Sequence, residues 1–315
     1  FLCNQTSYSE NLDSILHVLD SCLAQKEYYE SKYRRKSDSL RTLAQEEQDL
    51  QKRLIRWKEV LDFEFVRSSD KALYASEKVV DYAQSLNNIS EEVNALQTQA
   101  LVYGMGGLPW EGKIILDSLL ENERLKPFVS KEIYTHYYNL YDYFYAYKLP
   151  DPIREKNALF LSKIINIVQQ SITNPGIKAM TFDASATGEE RAIYHLKSLL
   201  TSSNLDKGVI ATVISNKYLF MRDIEKREYY LALASIYNTR SARHDNEALI
   251  RLAERMVEKK DWQRAEKYLE YAYEDALSYN SRSRFLEIQP IMHKVLEKNK
   301  ELKAKQSVQI SIGTT

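Results

Sequence analysis

The amino-acid sequence predicts an all-α fold, a solenoid of stacked helical hairpins, on three observations. A helix-opening pattern recurs in which a polar turn leads to a small residue and then a large apolar one, clearest in Asp261-Trp262-Gln263-Arg264-Ala265-Glu266-Lys267-Tyr268-Leu269. Comparable positions are Ala75, Gly112, Ala158, Ala192, Arg227 and Ala265, separated by 37, 46, 34, 35 and 38 residues. A period near 34 is the length of one helix–turn–helix unit, and a small residue lets two helix axes approach. Only 8 glycines and 6 prolines occur among 315 residues, which favours long helices and short connections. No alternating Val/Ile/Thr run of strand length occurs outside Ser307 to Thr315. A stack of helix pairs holds a partner, and no step of the repeat requires chemistry.

Residues 1–66 read as a long helical hairpin or a kinked helix. Leu12, Leu16, Leu19 and Leu23 recur at helical intervals, and Leu50, Leu54, Trp57 and Leu61 repeat them. From Gln25 to Gln48 charge dominates, as in exposed helix projecting from the body. Its basic cluster Lys32 to Lys36 lies among Glu27, Glu30 and Asp38, with Glu30 four before Arg34, the pattern of a solvated face. The sharper alternative for this region is a coiled-coil homodimer. Cys22 falls on the apolar stripe and reads as a buried thiol. Neither it nor Cys3 belongs to a metal-ligand spacing.

Residues 67–278 hold the repeats. Ser69 or Asp70 is the expected N-cap of a helix from Lys71 to Leu86, followed by Ile89 to Tyr103 and a stop at Gly104-Met105-Gly106-Gly107. Pro109 sits just inside the next helix, where proline is tolerated. Helices over Lys131–Lys148 and Asp151–Ile172 hinge at Leu149-Pro150-Asp151-Pro152. The pair over 177–201 has an irregular middle from Phe182 to Gly188. Regular pairs resume at 206–220 with 223–237, then 244–258 with 261–277. Residues 279–306 form a closing helix whose apolar half, with Phe285, Leu286, Ile288, Ile291, Met292, Val295 and Leu296, covers the last repeat. Residues 307–315 read as a tail. A natural terminus and a cut just before a membrane helix both fit it.

The packing code within the pairs is that of tetratricopeptide repeats. Leu249, Leu252, Ala253 and Met256 precede Ala265, Leu269 and Ala272; Ala211, Ile214, Ser215 and Tyr218 precede Leu231 and Ala234; Leu96, Ala100 and Tyr103 precede Gly112, Leu116 and Leu119. Arg227 departs from the code and is expected to extend outward. The stretches Glu225 to Ser235, Asp261 to Leu269 and Ala276 to Arg282 resemble an uncharacterised family of Bacteroidetes tetratricopeptide proteins. Asn11-Leu12-Asp13-Ser14 and the helix from Gln25 to Leu43 resemble that family's N-terminal segment. The resemblance implies a cleaved signal, a periplasmic repeat domain, one membrane helix and a cytoplasmic coiled coil with a helix-turn-helix-like end. It carries no catalytic residues. The chain starts at Phe1 without a methionine, which fits a cleaved signal or an artificial start.

Catalytic and cofactor chemistry find little footing. The 44 basic residues balance 44 acidic ones, leaving no global field for nucleic acid or an anionic membrane. Gly104-x-Gly106-Gly107 follows no strand and precedes no Gly-Lys-Ser/Thr, so it reads as a helix stop. The five histidines are scattered without a His-x-x-x-His pair, and no glycine elbow marks a serine. The expectation is therefore no catalytic residue, no cofactor and no metal.

The tyrosines remain. Tyr134, Tyr137, Tyr138, Tyr141, Phe144 and Tyr145 share one broad helical face, expected as core, whereas Tyr143 and Tyr147 point toward the concave wall. Extending that register to the other first helices gives a candidate partner-binding set: Asn94, Gln97, Tyr143, Tyr147, Thr212, Asn216, Glu247, Ile250 and Glu254. Amides, rings and mild acidity suit an extended protein or peptide ligand. The expected function is a noncatalytic scaffold, the periplasmic sensor domain of a membrane-anchored regulator that reaches the membrane through a segment C-terminal to it. The alternatives are a structural adaptor, an enzyme of unrecognised type, and a soluble cytoplasmic location.

Overall fold

The computed structural model describes residues 3–144, 150–171, 186–202 and 207–313, which form fourteen α-helices, a 3-10 turn at Lys126–Phe128 and no strand. In chain order they are α1 (Cys3–Ala24), α2 (Lys26–Glu46), α3 (Leu50–Glu64), α4 (Ser69–Ser85), α5 (Ile89–Met105), α6 (Pro109–Glu121), α7 (Ile133–Phe144) and α8 (Asp151–Ser171). After residues outside the described range come α9 (Ala186–Ser202), α10 (Lys207–Phe220), α11 (Ile224–Arg240), α12 (Glu247–Glu258), α13 (Trp262–Tyr279) and α14 (Arg282–Gly313). Polar residues before the apolar runs start the helices. Asp49, Ser68, Asn88, Asp223 and Asp261 each accept from the backbone N–H three residues on, so the cap of α4 is Ser68 rather than Ser69 or Asp70. Asn280 ends α13 in the left-handed region at φ 64°.

Neighbouring helices pack on one another from α1 to α8 and from α9 to α14, and first helices also stack on first helices, α5 on α7 and α12 on α14. The chain is an all-α tetratricopeptide-like solenoid. Small residues mark the close approaches. Ala75 and Ala265 are fully buried, and a Cβ on Gly112 meets the Ala100 carbonyl oxygen at 2.4 Å and Leu140 Cδ2 at 3.0 Å. Exchanging glycine for alanine inside a helix ordinarily stabilises by about 1 kcal/mol. Here the clash with backbone reverses the sign, and Gly112→Ala is expected to cost about 1–3 kcal/mol in urea unfolding. Gly106→Ala, whose nearest contact is 3.3 Å, is the near-neutral control.

Two pattern positions behave otherwise. Ala158 is exposed on α8, so no close approach occurs there. Arg227 does not extend freely outward: its side chain is half-buried beside Arg251 and Arg255, and its Nε has no hydrogen-bond partner. In the tyrosine face, Tyr137 and Tyr141 are buried and Tyr134 half-buried, but Tyr138 is exposed. The side chains of Phe144 and Tyr145, and the first helix expected from residue 177, lie outside the described residues.

The N-terminal segment departs most from expectation. α1 lies along the second helices of the last two regular pairs, and after a bend at Gln25 the charged stretch expected to project, α2, packs on α3. Leu12, Leu16, Leu19 and Leu23 share one core with Ile214, Leu231, Leu249 and Leu269. Asp20 pairs with Arg264 at 3.3 Å and Lys267 at 3.1 Å, and the Cys22 thiol is buried against the Ile236 carbonyl. The stripe that offered a coiled-coil homodimer is thus covered within the chain. At the other end α14 continues to Gly313, so residues 307–313 are helix rather than an extended tail. Ile288 and Val295 cover the last pair, while Leu286 and Leu296 are exposed. No helix among the described residues is long and apolar enough to cross a membrane.

Candidate functional site

The apolar stripe of α1 continues into α2 at the same 4, 3, 4 intervals, but through Lys26, Glu30, Tyr33 and Ser37 before returning to Leu40 and Ala44. These side chains face protein, not solvent. They meet the α3–α4 turn on one side and the α11–α12 loop and α13 on the other, forming a polar seam between the first hairpin and the last ones.

On the C-terminal side of the seam, Lys26 Nζ lies 2.8 Å from Asp275 and 3.1 Å from Glu274. Glu30 accepts from His244 Nε2 at 2.8 Å, His244 Nδ1 bonds the Arg67 carbonyl, and the His244 backbone N–H donates to the Val66 carbonyl at 3.0 Å. Asn246 donates to Asp275 at 3.2 Å and accepts from Asn238 at 3.1 Å. Burial opposes charge on His244, yet Glu30, Asp275 and the Arg67 carbonyl raise its pKa above the ordinary value. Burial likewise opposes ionisation of Glu30, but the His244 hydrogen bond holds its carboxyl below the usual range. The Glu30–Arg34 pair read from sequence does not form; Arg34 pairs with Glu27.

Glu30, His244 and Asp275 place three potential ligand atoms within 4.8 Å of one another. These atoms are already bonded within the protein: Asp275 lies 2.8 Å from Lys26, and His244 is held through Nε2 by Glu30 and through Nδ1 by the Arg67 carbonyl.

On the N-terminal side, Glu64 at the end of α3 is 1% exposed and accepts from Tyr33 Oη at 2.7 Å and from Ser37 Oγ, to which Lys71 donates at 2.9 Å. Above this carboxylate opens a pocket of 440 Å³ lined by Arg41, Trp57, Asp70, Lys71 and Tyr74. Trp57 meets Tyr74 edge-on at 5.5 Å, and Tyr74 is 46% exposed. The pocket wall is bonded to the root of α14: Ser69 Oγ donates to the Tyr279 carbonyl at 2.6 Å, and Asn280 Nδ2 donates to Asp70 at 3.3 Å.

The residues expected on the concave face fare unequally. Asn94 and Asn216 are exposed and Thr212 is half-buried, its hydroxyl donating to the Gly208 carbonyl. Glu247 and Glu254 are brought together by Arg251, 3.2 Å from each. Gln97 and Ile250 are buried, at 6% and 1% exposure, and cannot line an open face. The Tyr143 side chain and Tyr147 lie outside the described residues. Among the described residues no side-chain hydrogen bond joins Asn94 to Asn216 or either to the Arg251 cluster. Glu64, Lys71 and Tyr74 lie off the first helices, where α2 crosses the α3–α4 hairpin, so the register of the first helices does not reach them.

A model of the family described as the SusR N-terminal TPR domain matches residues 23–290. No curated protein matches the chain.

Proposed function

We propose that this chain, which belongs to the SusR N-terminal TPR domain family, is the ligand-sensing periplasmic part of a membrane-anchored transcriptional regulator. A tetratricopeptide domain of this kind is a protein-interaction scaffold, and its helix pairs offer surface rather than reacting groups. The observation that carries the reading is the pocket over Glu64. It combines a buried, hydroxyl-held carboxylate with an exposed ring and two cations, Arg41 and Lys71. Those groups suit a segment of protein or peptide that presents polar atoms and one flat apolar face.

Sensing needs a ligand that binds one arrangement of the domain better than another. The pocket wall supplies a route, because Ser69 and Asp70 are bonded to the α13–α14 turn from which the closing helix departs. Asn94 and Asn216 are proposed as further contacts along the first helices.

The test is capture from a periplasmic extract followed by titration of the identified partner. Tyr74→Ala is expected to weaken binding about tenfold, the loss of one well-packed aromatic contact, with helicity unchanged by circular dichroism. Binding that survives Tyr74→Ala with Arg41→Ala, and is lost instead in Asn94→Ala with Asn216→Ala, moves the site to the first-helix face. A reporter enzyme active only outside the cytoplasm, fused within the natural gene, tests the location.

A further inference from the structure

His244 holds three of the contacts that join the two ends of the solenoid. Its backbone N–H and its Nδ1 both bind carbonyls of the α3–α4 turn, Val66 and Arg67, while its Nε2 binds Glu30 of α2. A carbonyl oxygen only accepts, and so does an ionised carboxylate. A neutral imidazole carries one N–H, so it can satisfy one of the two ring contacts and turns a lone pair toward the other acceptor. Only the imidazolium satisfies both.

The charges around the ring agree. Lys26 and Glu30 face it from α2, Asp275 from α13, and the Tyr33 ring stands edge-on at 5.7 Å. The flanking charges, Arg243 and Asp245 in the α11–α12 loop and Arg284 of α14, pair with each other. Arg67 turns its guanidinium to the Ser241 and Phe63 carbonyls. With His244 protonated, two cations, Lys26 and His244, face two anions, Glu30 and Asp275, inside the seam, and the exposed Glu274 meets Lys26 at its rim. Loss of the proton leaves one uncompensated negative charge in the seam and removes one hydrogen bond at the same time.

We propose that His244 is a proton-operated latch that staples the α3–α4 turn to the C-terminal hairpins when protonated and releases it when neutral. The inference rests on the seam alone and does not require the ligand pocket to be occupied. Its sign follows from the raised value of His244 in the folded chain. The latch is fully made below the ordinary histidine pKa of about 6.5 and is lost as pH rises through the higher folded value.

The test is hydrogen exchange of the intact chain, with exchange rates corrected for their intrinsic pH dependence, from about pH 6 to about pH 9. Amide protection of residues 64–70 and 241–246 is expected to fall about tenfold across that range, the loss of one charge-assisted hydrogen bond. In His244→Gln the protection is expected to be low throughout and independent of pH. If that variant does not fold, Glu30→Gln removes the anion that supports the imidazolium and is expected to move the release to lower pH. Histidine resonances of the unaltered chain, titrated by NMR, report the proton directly. Protection that stays constant while the His244 resonance titrates overturns the latch, as does a His244 that titrates below the ordinary value.

Discussion

Replacing Arg284 by leucine is expected to destabilise the domain by about 3–5 kcal/mol, the range seen when one partner of a buried ion pair is removed. Arg284 is 7% exposed at the start of α14 and makes two bonds to Asp245, at 3.0 and 2.9 Å. It also reaches Glu287 at 3.0 Å and Glu247 at 3.5 Å. Leucine leaves three carboxylates around an apolar side chain; Arg251 still holds Glu287 at 2.9 Å and Glu247 at 3.2 Å, but the buried Asp245 is left with Arg243 at 3.7 Å. Burial alone pushes the Asp245 carboxyl up, and the Arg284 and Arg243 guanidiniums more than reverse this, holding it below the usual range. Its contribution is therefore present above the ordinary carboxylate pKa and is lost as pH falls through the lower folded value. Urea unfolding at neutral pH measures the loss. Arg284→Lys keeps the charge but not the two-pronged geometry and is expected to fall between leucine and the native chain.

Leu19→Ala is expected to cost about 2–5 kcal/mol, since the side chain is fully buried and a core relaxes only partly into the space such a side chain leaves. Leu19 sits in the stripe that joins α1 to α11 and α13, so the loss reports packing between chain segments more than two hundred residues apart. Light scattering distinguishes the two uses of that stripe. The mass is expected to be the same in the native chain and the variant; a native dimer that dissociates in Leu19→Ala contradicts packing within the chain.

Much of the fold is legible in the residues because helical order leaves local marks. The recurrence near 34 residues, the scarcity of glycine and proline, and the capping residues place the described helices of the repeat region to within a few residues. Gly112 shows why: one missing Cβ is both a sequence signal and the contact that sets the distance between α5 and α6. Ala158 shows the limit, since a small residue is equally at home on an exposed face.

The path of the N-terminal segment was not legible as projecting or folded back, because periodicity gives a helix a face but does not say what covers it. A signal nonetheless lay in the spacing. Lys26, Glu30, Tyr33 and Ser37 continue the interval of Leu12 to Leu23, and a polar stripe in register with an apolar one marks a helix that stays against protein while its environment turns polar. The site residues were harder still. Glu64, His244 and Asp275 are each unremarkable in sequence, and their meaning comes from partners that only the tertiary fold supplies.

Closure of the solenoid, with its first hairpin bonded to its last, is tested most directly by a distance between those two ends in solution. Spin labels at Glu77→Cys, on α4 beyond Asp70, and Ser278→Cys, both exposed positions, are placed in a chain whose Cys3 and Cys22 are alanine. Asp70 accepts from Asn280 two residues beyond the second label, so pulsed dipolar spectroscopy is expected to give one short, narrow distance distribution. A long or broad distribution, as from an open stack whose repeats touch only their neighbours, contradicts it.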